Sequence, residues 1–386
     1  MILKKKFFFY SFLSLSLAIF SQNENPDELF KLANQFYFGK NGKNKDYKKA
    51  FEYYQKAAYL GHKKAAFNLG ICYETGKGTE INPVAAFKCY EEAASAGIKE
   101  AKYNLAISLT YGVYDQNGNE IIKPDILQAE KILEELTNNS FPPANLKLAE
   151  LRISQGGEKA NSAFELIKSV FNEKDPLCLR LLADCYFLGY GTEKSPQKTL
   201  IFLEKASKLG DIEATAKLAH ILYYGDGVPK NIQKAIELFK LAAQKNHPTA
   251  IYMLATMYFT GENLQQNLAK ARELFSISAN LGNPKALFYL AVMAQEGIGE
   301  EKSPQKAAKL FLEAAKKGDP RSQFNIAQIF KNGIGIPQDI SAAEYWFEKA
   351  YSNGLKKAQI EWAKTILENP ESTEEKKINA KKILNR

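Results

Sequence analysis

A small residue, usually preceded by Leu, recurs along the chain at a nearly fixed distance. The last six copies are Ala183, Ala219, Ala255, Ala291, Ala327 and Ala363, each 36 residues after the one before. Ala33, Gly70, Ala106 and Ala149 continue the series toward the N-terminus, with steps of 37, 36, 43 and 34 residues. A period between about 20 and 50 residues indicates a repeat array. The 386 residues therefore do not predict the two or three compact domains that their length would otherwise suggest.

Each period predicts two amphipathic helices joined by a glycine turn. In one copy, helix A covers about residues 214–224, Gly225 ends it, and helix B covers about residues 231–245. Asn231 is the expected N-cap of helix B, and Asn246 replaces a closing Gly because Asn also tolerates a left-handed backbone. Length varies only between helix A and helix B, where the segment VYDQNGNEIIKPD adds seven residues in one copy. The pattern predicts an all-α stack of hairpins with variable surface loops.

The turn Gly225-Asp226-Gly227 looks at first like a ligand loop. Glycines before a helix can bind a phosphate group, and Asp beside Gly can bind calcium. Asp226 has no counterpart in the other copies, where the same position holds Lys, Tyr, Glu or Ile. Only the glycines recur, so we interpret the loop as the joint between two helices and expect no cofactor.

The N-terminus predicts a signal peptide at residues 1–21. Three lysines, Lys4 to Lys6, precede an apolar run from Phe7 to Phe20. That run has about 14 residues, fewer than the roughly 20 that span a bilayer, although an uncleaved anchor remains the alternative. We expect the chain to be exported and periplasmic or secreted, with no integral membrane segment in its mature form.

The rest of the chain divides into a repeat region at residues 22–369 and a C-terminal capping helix at residues 370–386. Ser372 to Glu375 read as a capping box, and a short basic helix up to Leu384 should follow it. Terminal repeats need a polar outer face, which a charged helix of this kind would supply.

At this point the repeat resembles a known family. The segments LAHILYYGDGVPKNIQKAIELFKLAAQKN (218–246) and IAQIFKNGIGIPQDISAAEYWFEKAYSNG (326–354) are similar to the Sel-1-like repeat, a relative of the tetratricopeptide repeat. The resemblance implies a right-handed α/α superhelical solenoid of about nine to ten hairpins of ~36 residues. Ser140 and Lys174 depart from it, because they stand where the family pattern has a closing Gly.

The resemblance also implies a function, which is binding to other proteins. Bacterial members of the family are typically exported adaptors, regulators or host-interaction factors. We therefore expect a monomeric scaffold whose partner is a protein or a peptide. Nucleic acid is not an expected partner, because the formal net charge of +9 comes from lysines that are spread through the repeats, usually beside Glu.

The residues give little indication of catalysis or of a metal site. The three histidines, His62, His220 and His247, form no zinc motif, and no nucleophile elbow or Walker loop is present in the sequence. His62 and His247 should be exposed at repeat junctions. We predict that the protein is not an enzyme, with an exported hydrolase acting on cell-wall or peptide-like substrates as the alternative.

The four cysteines occupy positions that hold apolar or small residues in other copies, which indicates structural roles. Cys178 and Cys185 lie seven residues apart on one helix, roughly 10 Å by helical rise and too far for a disulfide. Cys72 and Cys89 face each other across one hairpin, so a disulfide between them stays open.

The predicted binding residues lie on the helix A face that lines the concave side of tetratricopeptide-like stacks. Positions one and four after the small residue, and one position three before it, provide the candidates Asp184, Phe187, His220, Tyr223, Tyr252, Thr256 and Phe259. Aromatic and mixed polar groups on such a surface suit peptide capture. The alternative is that these rings pack against the neighbouring repeat.

Overall fold

The computed structural model describes residues 24–385, which form consecutive helical hairpins and one two-stranded antiparallel β-hairpin. The predicted all-α architecture of stacked helical hairpins is confirmed. The helices belong to two compact units, described here one at a time. The first runs to Phe171 and includes Gly189–Thr192; the second contains Asn172–Leu188 and everything from Glu193 onward. The predicted signal peptide at residues 1–21 lies outside the described residues.

The first unit consists of four helical hairpins. Its elements are α1 Pro26–Phe38, α2 Tyr47–Tyr59, α3 Lys63–Thr75, α4 Pro83–Ser95, α5 Lys99–Tyr111, β1 Val113–Tyr114, β2 Glu120–Ile122, α6 Ile126–Asn138, α7 Pro142–Gln155, α8 Gly157–Ala160 and α9 Ala163–Ser169. Helices pair in sequence order, and in the last hairpin α7 pairs with α9. Each hairpin packs on the next, as expected for a solenoid.

The second unit consists of six helical hairpins. Its helices are α10 Pro176–Leu188, α11 Pro196–Lys208, α12 Ile212–Tyr224, α13 Ile232–Gln244, α14 Pro248–Thr260, α15 Leu268–Asn280, α16 Pro284–Glu296, α17 Pro304–Lys316, α18 Pro320–Asn332, α19 Ile340–Ser352, α20 Ala358–Glu368 and α21 Glu374–Leu384. The even-numbered member of each pair is helix A of the repeat, and the odd-numbered member is helix B.

Most of these helices begin at a polar side chain that caps their free N–H groups. In helix A the capping residue lies eight positions before the small residue, as Asp211 does in α12, where its carboxylate accepts a hydrogen bond from Ala214 N at 2.7 Å. In helix B of the same repeat, Asn231 accepts from Lys234 N at 3.0 Å, which confirms the predicted cap. Each cap stabilises its helix by about 1 kcal/mol, so a single residue sets where the helix begins.

The glycine turn works as the sequence predicts. Gly225 adopts φ 74° in the left-handed region and donates its N–H to Ile221 O, which ends α12. The second glycine has a further role: a Cβ on Gly227 would lie 2.5 Å from Pro196 Cγ, at the start of helix B in the preceding hairpin. The turn can touch that neighbouring hairpin only because this position carries no side chain.

The closing positions follow the repeat except at one place. Asn246 has φ 61°, so the predicted left-handed Asn is confirmed, and Ser140 reaches the same region with φ 54°. Lys174 does not adopt a positive φ. There the side chain of Asn172 accepts a hydrogen bond from Lys174 N at 3.0 Å and forms the turn instead.

The seven-residue insert folds as the β-hairpin β1–β2, which the sequence analysis treated only as a surface loop. Its tip is organised by Asp115, whose carboxylate accepts hydrogen bonds from Asn117 N and Asn119 N at 2.9 and 2.8 Å. Hydrogen bonds from Asn119, chiefly that of its side chain, lower the pKa of Asp115. The Asn117-Gly118 pair was the available signal, because Asn-Gly is typical of hairpin turns.

The C-terminal segment forms α21, but it does not begin with the predicted capping box. Thr373 is the N-cap and accepts from Lys376 N at 3.3 Å, so the cap lies one residue later than expected. Ser372 instead donates to buried Glu344 on α19, which Lys376 Nζ also contacts at 2.6 Å. Burial raises the pKa of Glu344, but the hydrogen bonds from Lys376, Ser372 and Asn369 outweigh that effect and lower it.

The core is built from small residues beside large rings. The recurring Ala of helix A is fully buried in each described copy, as are Tyr54, Tyr90, Phe239, Phe275, Phe311 and Phe347 of helix B. Cys72 and Cys89, left open as a disulfide, are free buried thiols like Cys178 and Cys185. Burial raises the pKa of Cys72 to about 11 and that of Cys185 to about 12, so both remain protonated thiols.

Gly70 offers a direct test of this packing, because a Cβ there would lie 2.6 Å from Tyr90 Cε1. The ring cannot retreat freely, since Tyr90 OH donates a hydrogen bond to Glu74 at 2.5 Å. We expect Gly70→Ala to lower the free energy of unfolding by about 1–3 kcal/mol, despite the better helix propensity of Ala.

The matched background is Tyr90→Phe, which removes the hydroxyl that holds the ring. Ala219 and Phe239 occupy the same two positions in α12 and α13 and are both fully buried, so this combination fits the fold. Gly70→Ala should lower the free energy of unfolding by less in the Tyr90→Phe background than in the unaltered protein, as measured by urea denaturation. An equal loss of unfolding free energy in both backgrounds would contradict the proposed role of the Tyr90 ring.

Candidate protein-binding surface

All seven predicted binding residues belong to the second unit and lie on the first three of its A helices. α10 carries Asp184 and Phe187, α12 carries His220 and Tyr223, and α14 carries Tyr252, Thr256 and Phe259. Phe187 and His220 are exposed, and the other five are half-buried. The positions expected on one face of helix A are therefore accessible at least in part in all three helices.

Three half-buried aromatic residues form what we call the aromatic patch: Tyr252, Phe259 and Tyr289. The ring centroids of Phe259 and Tyr289 are 5.5 Å apart, and those of Tyr252 and Tyr289 are 6.0 Å apart. Beneath them lies fully buried Phe275 of α15, stacked on Tyr289 at 4.9 Å. The alternative interpretation therefore describes Tyr252 and Phe259, because their rings pack against the neighbouring repeat. Both rings also keep an accessible surface.

Thr256 belongs to the same face of α14 as two members of the patch, since it lies four residues after Tyr252 and three before Phe259. Its hydroxyl donates to Tyr252 O at 2.9 Å, so its one donor is satisfied within the helix. A cation stands beside the patch: the guanidinium carbon of Arg321 lies 4.1 Å from the Phe288 ring centroid and 5.7 Å from that of Tyr289. The surface therefore combines apolar rings with an arginine at its edge, whose Nη2 also lies 3.5 Å from Asp319 Oδ1.

Asp184 is engaged in an ion pair. Lys217 Nζ lies 2.8 Å from both of its carboxylate oxygens. Burial raises the pKa of Asp184, and the positive charge of Lys217 offsets this only in part. Removing either group would leave the other charged and half-buried without a partner, which is unfavourable. We therefore interpret this pair mainly as a contact that positions α10 against α12.

His220 and Tyr223 lie together at the end of α12. The His220 ring centroid is 4.5 Å from that of Tyr224, and Tyr223 OH accepts a hydrogen bond from Asn263 Nδ2 at 3.3 Å. Burial lowers the pKa of His220, so the ring is neutral at pH 7. The imidazole offers ring contacts to a ligand, and the Asp226 carboxylate lies 3.9 Å from its Nδ1.

Two residues of this surface were missed by the sequence analysis. Tyr289 and Lys217 lie two positions before their small residues, Ala291 and Ala219, a position that the prediction did not include. The signal was available, because positions two before and one after the small residue are three apart and share a helix face.

The predicted exposure of His62 and His247 is wrong, because their side chains are only 13% and 11% exposed. Both are helix caps: His62 Nδ1 accepts from Ala65 N at 2.9 Å, and His247 Nδ1 accepts from Ala250 N at 3.2 Å. Their Nε2 atoms face Asp27 and Glu213 at 3.3 and 2.9 Å. Because the Nδ1 atoms of both rings accept hydrogen bonds from backbone N–H groups, the two histidines are poorly placed to act as general bases.

Neither a metal cluster nor a membrane span is found in the part of the chain that the structure describes. Across residues 24–385, no group of three or more His, Cys, Asp or Glu side chains is arranged to hold a metal ion. No helix described there has the length and apolar composition that a membrane span requires.

Comparison with protein families identifies the class of this repeat. The family model described as "Sel1 repeat" matches seven segments of the chain, residues 29–62, 63–98, 176–211, 212–247, 248–283, 284–319 and 320–355. The matches cover more than half of the chain and coincide with helical hairpins of both units. The chain belongs to the Sel1 repeat family, as the sequence resemblance indicated. Repeat solenoids of this kind are typically non-catalytic scaffolds for protein–protein interaction.

The fold is shared by a solved protein of the same repeat class. A Sel1 repeat protein from Oxalobacter formigenes is 24% identical and superposes with a TM-score of 0.53 over 63% of this chain and 95% of its own. A protective antigen of uropathogenic Escherichia coli strains with an SLR fold is 22% identical, covering 88% of this chain and 79% of its own with a TM-score of 0.48. At these identities, the likeness concerns the fold alone.

A curated relative matches only locally. DAP3-binding cell death enhancer 1 from Rattus norvegicus is 45% identical over 56 residues, which is 14% of this chain and 11% of that protein. The chain thus spans about a tenth of that relative's length, and the match does not extend beyond those 56 residues.

His247 allows the capping interpretation to be tested. We expect His247→Ala to lower the free energy of unfolding by about 1 kcal/mol or more, because α14 loses its cap and Glu213 its partner. His247→Asn should recover most of the capping part, since Asn283 caps α16 from the equivalent position. Thermal or urea denaturation of the three proteins measures both differences. Equal losses for Ala and Asn would show that the cap contributes little.

Proposed function

We propose that this chain is an exported, monomeric scaffold that captures a protein or peptide partner on the aromatic patch of its second unit. The observation that carries the proposal is the patch itself, three half-buried rings from two neighbouring A helices supported by a buried Phe. Rigid aromatic side chains give large contact area at low entropic cost, and they are enriched among residues that dominate binding energy.

The surroundings of the patch favour a peptide segment over a small polar ligand. Thr256 shares a helix face with Tyr252 and Phe259 and keeps its hydroxyl within the helix, so this face offers mainly rings and a methyl group. Arg321 at one edge and the neutral His220 with Tyr224 on α12 supply polar groups. This arrangement suits a partner that places an apolar side chain on the rings and a carbonyl or carboxylate near Arg321.

Export and the cellular role rest on the N-terminal sequence and on the family. The lysines before the apolar run at residues 7–20 are typical of a signal peptide, which supports a periplasmic or secreted protein. An envelope regulator or a host-interaction factor is the role we propose, with a protein and not a nucleic acid as partner. Cell fractionation followed by N-terminal sequencing tests export. We expect to find the protein outside the cytoplasm, with its N-terminus at about residue 22.

Thr256→Glu tests the binding surface directly, because it places a charge among the rings without removing any of them. The matched control is Ser276→Glu on α15: the Ser276 hydroxyl also donates to the carbonyl four residues before it, that of Arg272, at 2.9 Å, and the side chain is half-buried. We expect Thr256→Glu to lower partner affinity at least tenfold, about 1.4 kcal/mol, and Ser276→Glu to leave it nearly unchanged.

The measurement starts with affinity capture from envelope and supernatant fractions, using the unaltered protein and both variants as bait. A partner retained by the unaltered protein and by Ser276→Glu, but lost by Thr256→Glu, supports the site, and titration then gives the affinities. Equal retention by both variants would place partner binding elsewhere on the chain.

A further inference from the structure

The first unit carries a local excess of positive charge at the turn between α1 and α2. Residues 36–49, FYFGKNGKNKDYKK, contain five lysines and one acid. The lysines are Lys40, Lys43, Lys45, Lys48 and Lys49, all exposed, and with Lys77 they form what we call the basic tip. Lys77 comes from the turn that follows α3, and its Nζ donates to Tyr37 OH at 3.1 Å. A chain-wide view of charge, in which lysine is spread through every repeat, overlooks this concentration.

The one acid in this segment does not neutralise the surface. Asp46 is the N-cap of α2, and its carboxylate accepts a hydrogen bond from Lys49 N at 3.0 Å. It also lies 3.7 Å from Lys49 Nζ, so it offsets a single lysine. The remaining ammonium groups of the turn create a positive field that is available to a partner.

The lysines are interleaved with aromatic rings. Lys43 and Lys49 lie over the Phe36 ring at 5.6 and 5.4 Å, and Lys45 and Lys77 lie over the Tyr47 ring at 5.1 and 5.6 Å. These cation–π contacts cover ring faces that a nucleic-acid base would need for stacking. The surface is therefore better suited to an extended layer of anionic groups than to single-stranded nucleic acid.

An apolar side chain projects from the same turn. Phe38, the last residue of α1, is 56% exposed, and Lys40 Nζ lies 5.4 Å from its ring centroid. Lysines bind lipid phosphates while an exposed ring enters the headgroup region, which is the usual combination at membrane surfaces. The turn also follows the apolar run at residues 7–20 closely in sequence, and that run is expected to bring the chain to a membrane.

We propose that the basic tip binds the surface of an anionic phospholipid bilayer, with its lysines on the headgroup phosphates and Phe38 in the interfacial region. The contact is peripheral and does not require a membrane span. It involves the first hairpins of the first unit, and it holds or fails independently of peptide capture by the second unit.

Vesicle co-sedimentation of the protein without residues 1–21 tests the proposal. We expect binding to phosphatidylcholine vesicles that contain about one third phosphatidylglycerol, little binding to phosphatidylcholine alone, and loss of binding at about 0.5 M salt, where the Debye length falls below about 5 Å. The triple variant Lys40→Glu, Lys43→Glu, Lys45→Glu should lower partitioning by at least about 100-fold.

The control changes the same amount of charge elsewhere, with Lys230→Glu, Lys240→Glu and Lys309→Glu, all exposed residues of the second unit. Phe38→Ser should weaken binding about tenfold, whereas Phe171→Ser, at a residue of similar exposure, should not. Circular dichroism melting confirms that each variant is folded, and the salt series on the unaltered protein needs no variant.

Three results would overturn the proposal. One is equal binding of the unaltered protein to neutral and anionic vesicles, or no binding to either. Another is an equal loss of binding in the two triple variants, which would indicate a response to net charge alone. The third is tight binding to oligouridine RNA without binding to vesicles, which would assign the basic tip to nucleic acid.

Discussion

The structure depends on close contact between helices at a position that admits almost no side chain. The recurring small residue is buried in each described copy, and at Gly70 even a methyl group would meet the ring of Tyr90. This contact fixes the separation of the two helices in a hairpin, and large buried rings fill the space beside it. Since these small residues and rings form the core contacts, the outward positions of helix A can differ from repeat to repeat.

That freedom explains why the outward side chains differ from one helix to the next while the fold does not. At the position one after the small residue, successive helices of the second unit carry Asp184, His220 and Thr256. The first is tied in an ion pair, the second is a neutral ring beside a tyrosine, and the third lies on the same helix face as two members of the aromatic patch. One scaffold position thus serves three physical purposes, which is how repeat proteins diversify their surfaces.

The sequence predicts the hairpins well because spacing, glycine turns and caps all repeat, so each copy supports the interpretation of the others. It predicts the candidate binding surface only partly. Tyr289 lies at a register position outside the prediction, and the predicted exposure of His62 and His247 is wrong because both cap helices. Such errors concern side-chain direction and local partners, which depend on the neighbouring repeat and are not encoded in the spacing. The β-hairpin was missed for another reason, since it occurs once and no other copy could support it.

The second glycine of the turn has a consequence for how such a chain can change. Gly227, like Gly78 and Gly335, lies where an added Cβ would meet the preceding hairpin, so a turn of this type has a length set by that contact. The turn after α5 has Tyr114 in place of the second glycine, and it is this turn that contains the β1–β2 hairpin. This longer turn still contacts the preceding hairpin, because Gln116 Nε2 donates a hydrogen bond to Ile81 O at 3.1 Å. The turn therefore holds extra residues without disturbing the stack. It marks a natural point for grafting a new loop, so that a new specificity could be built there without altering a single helix.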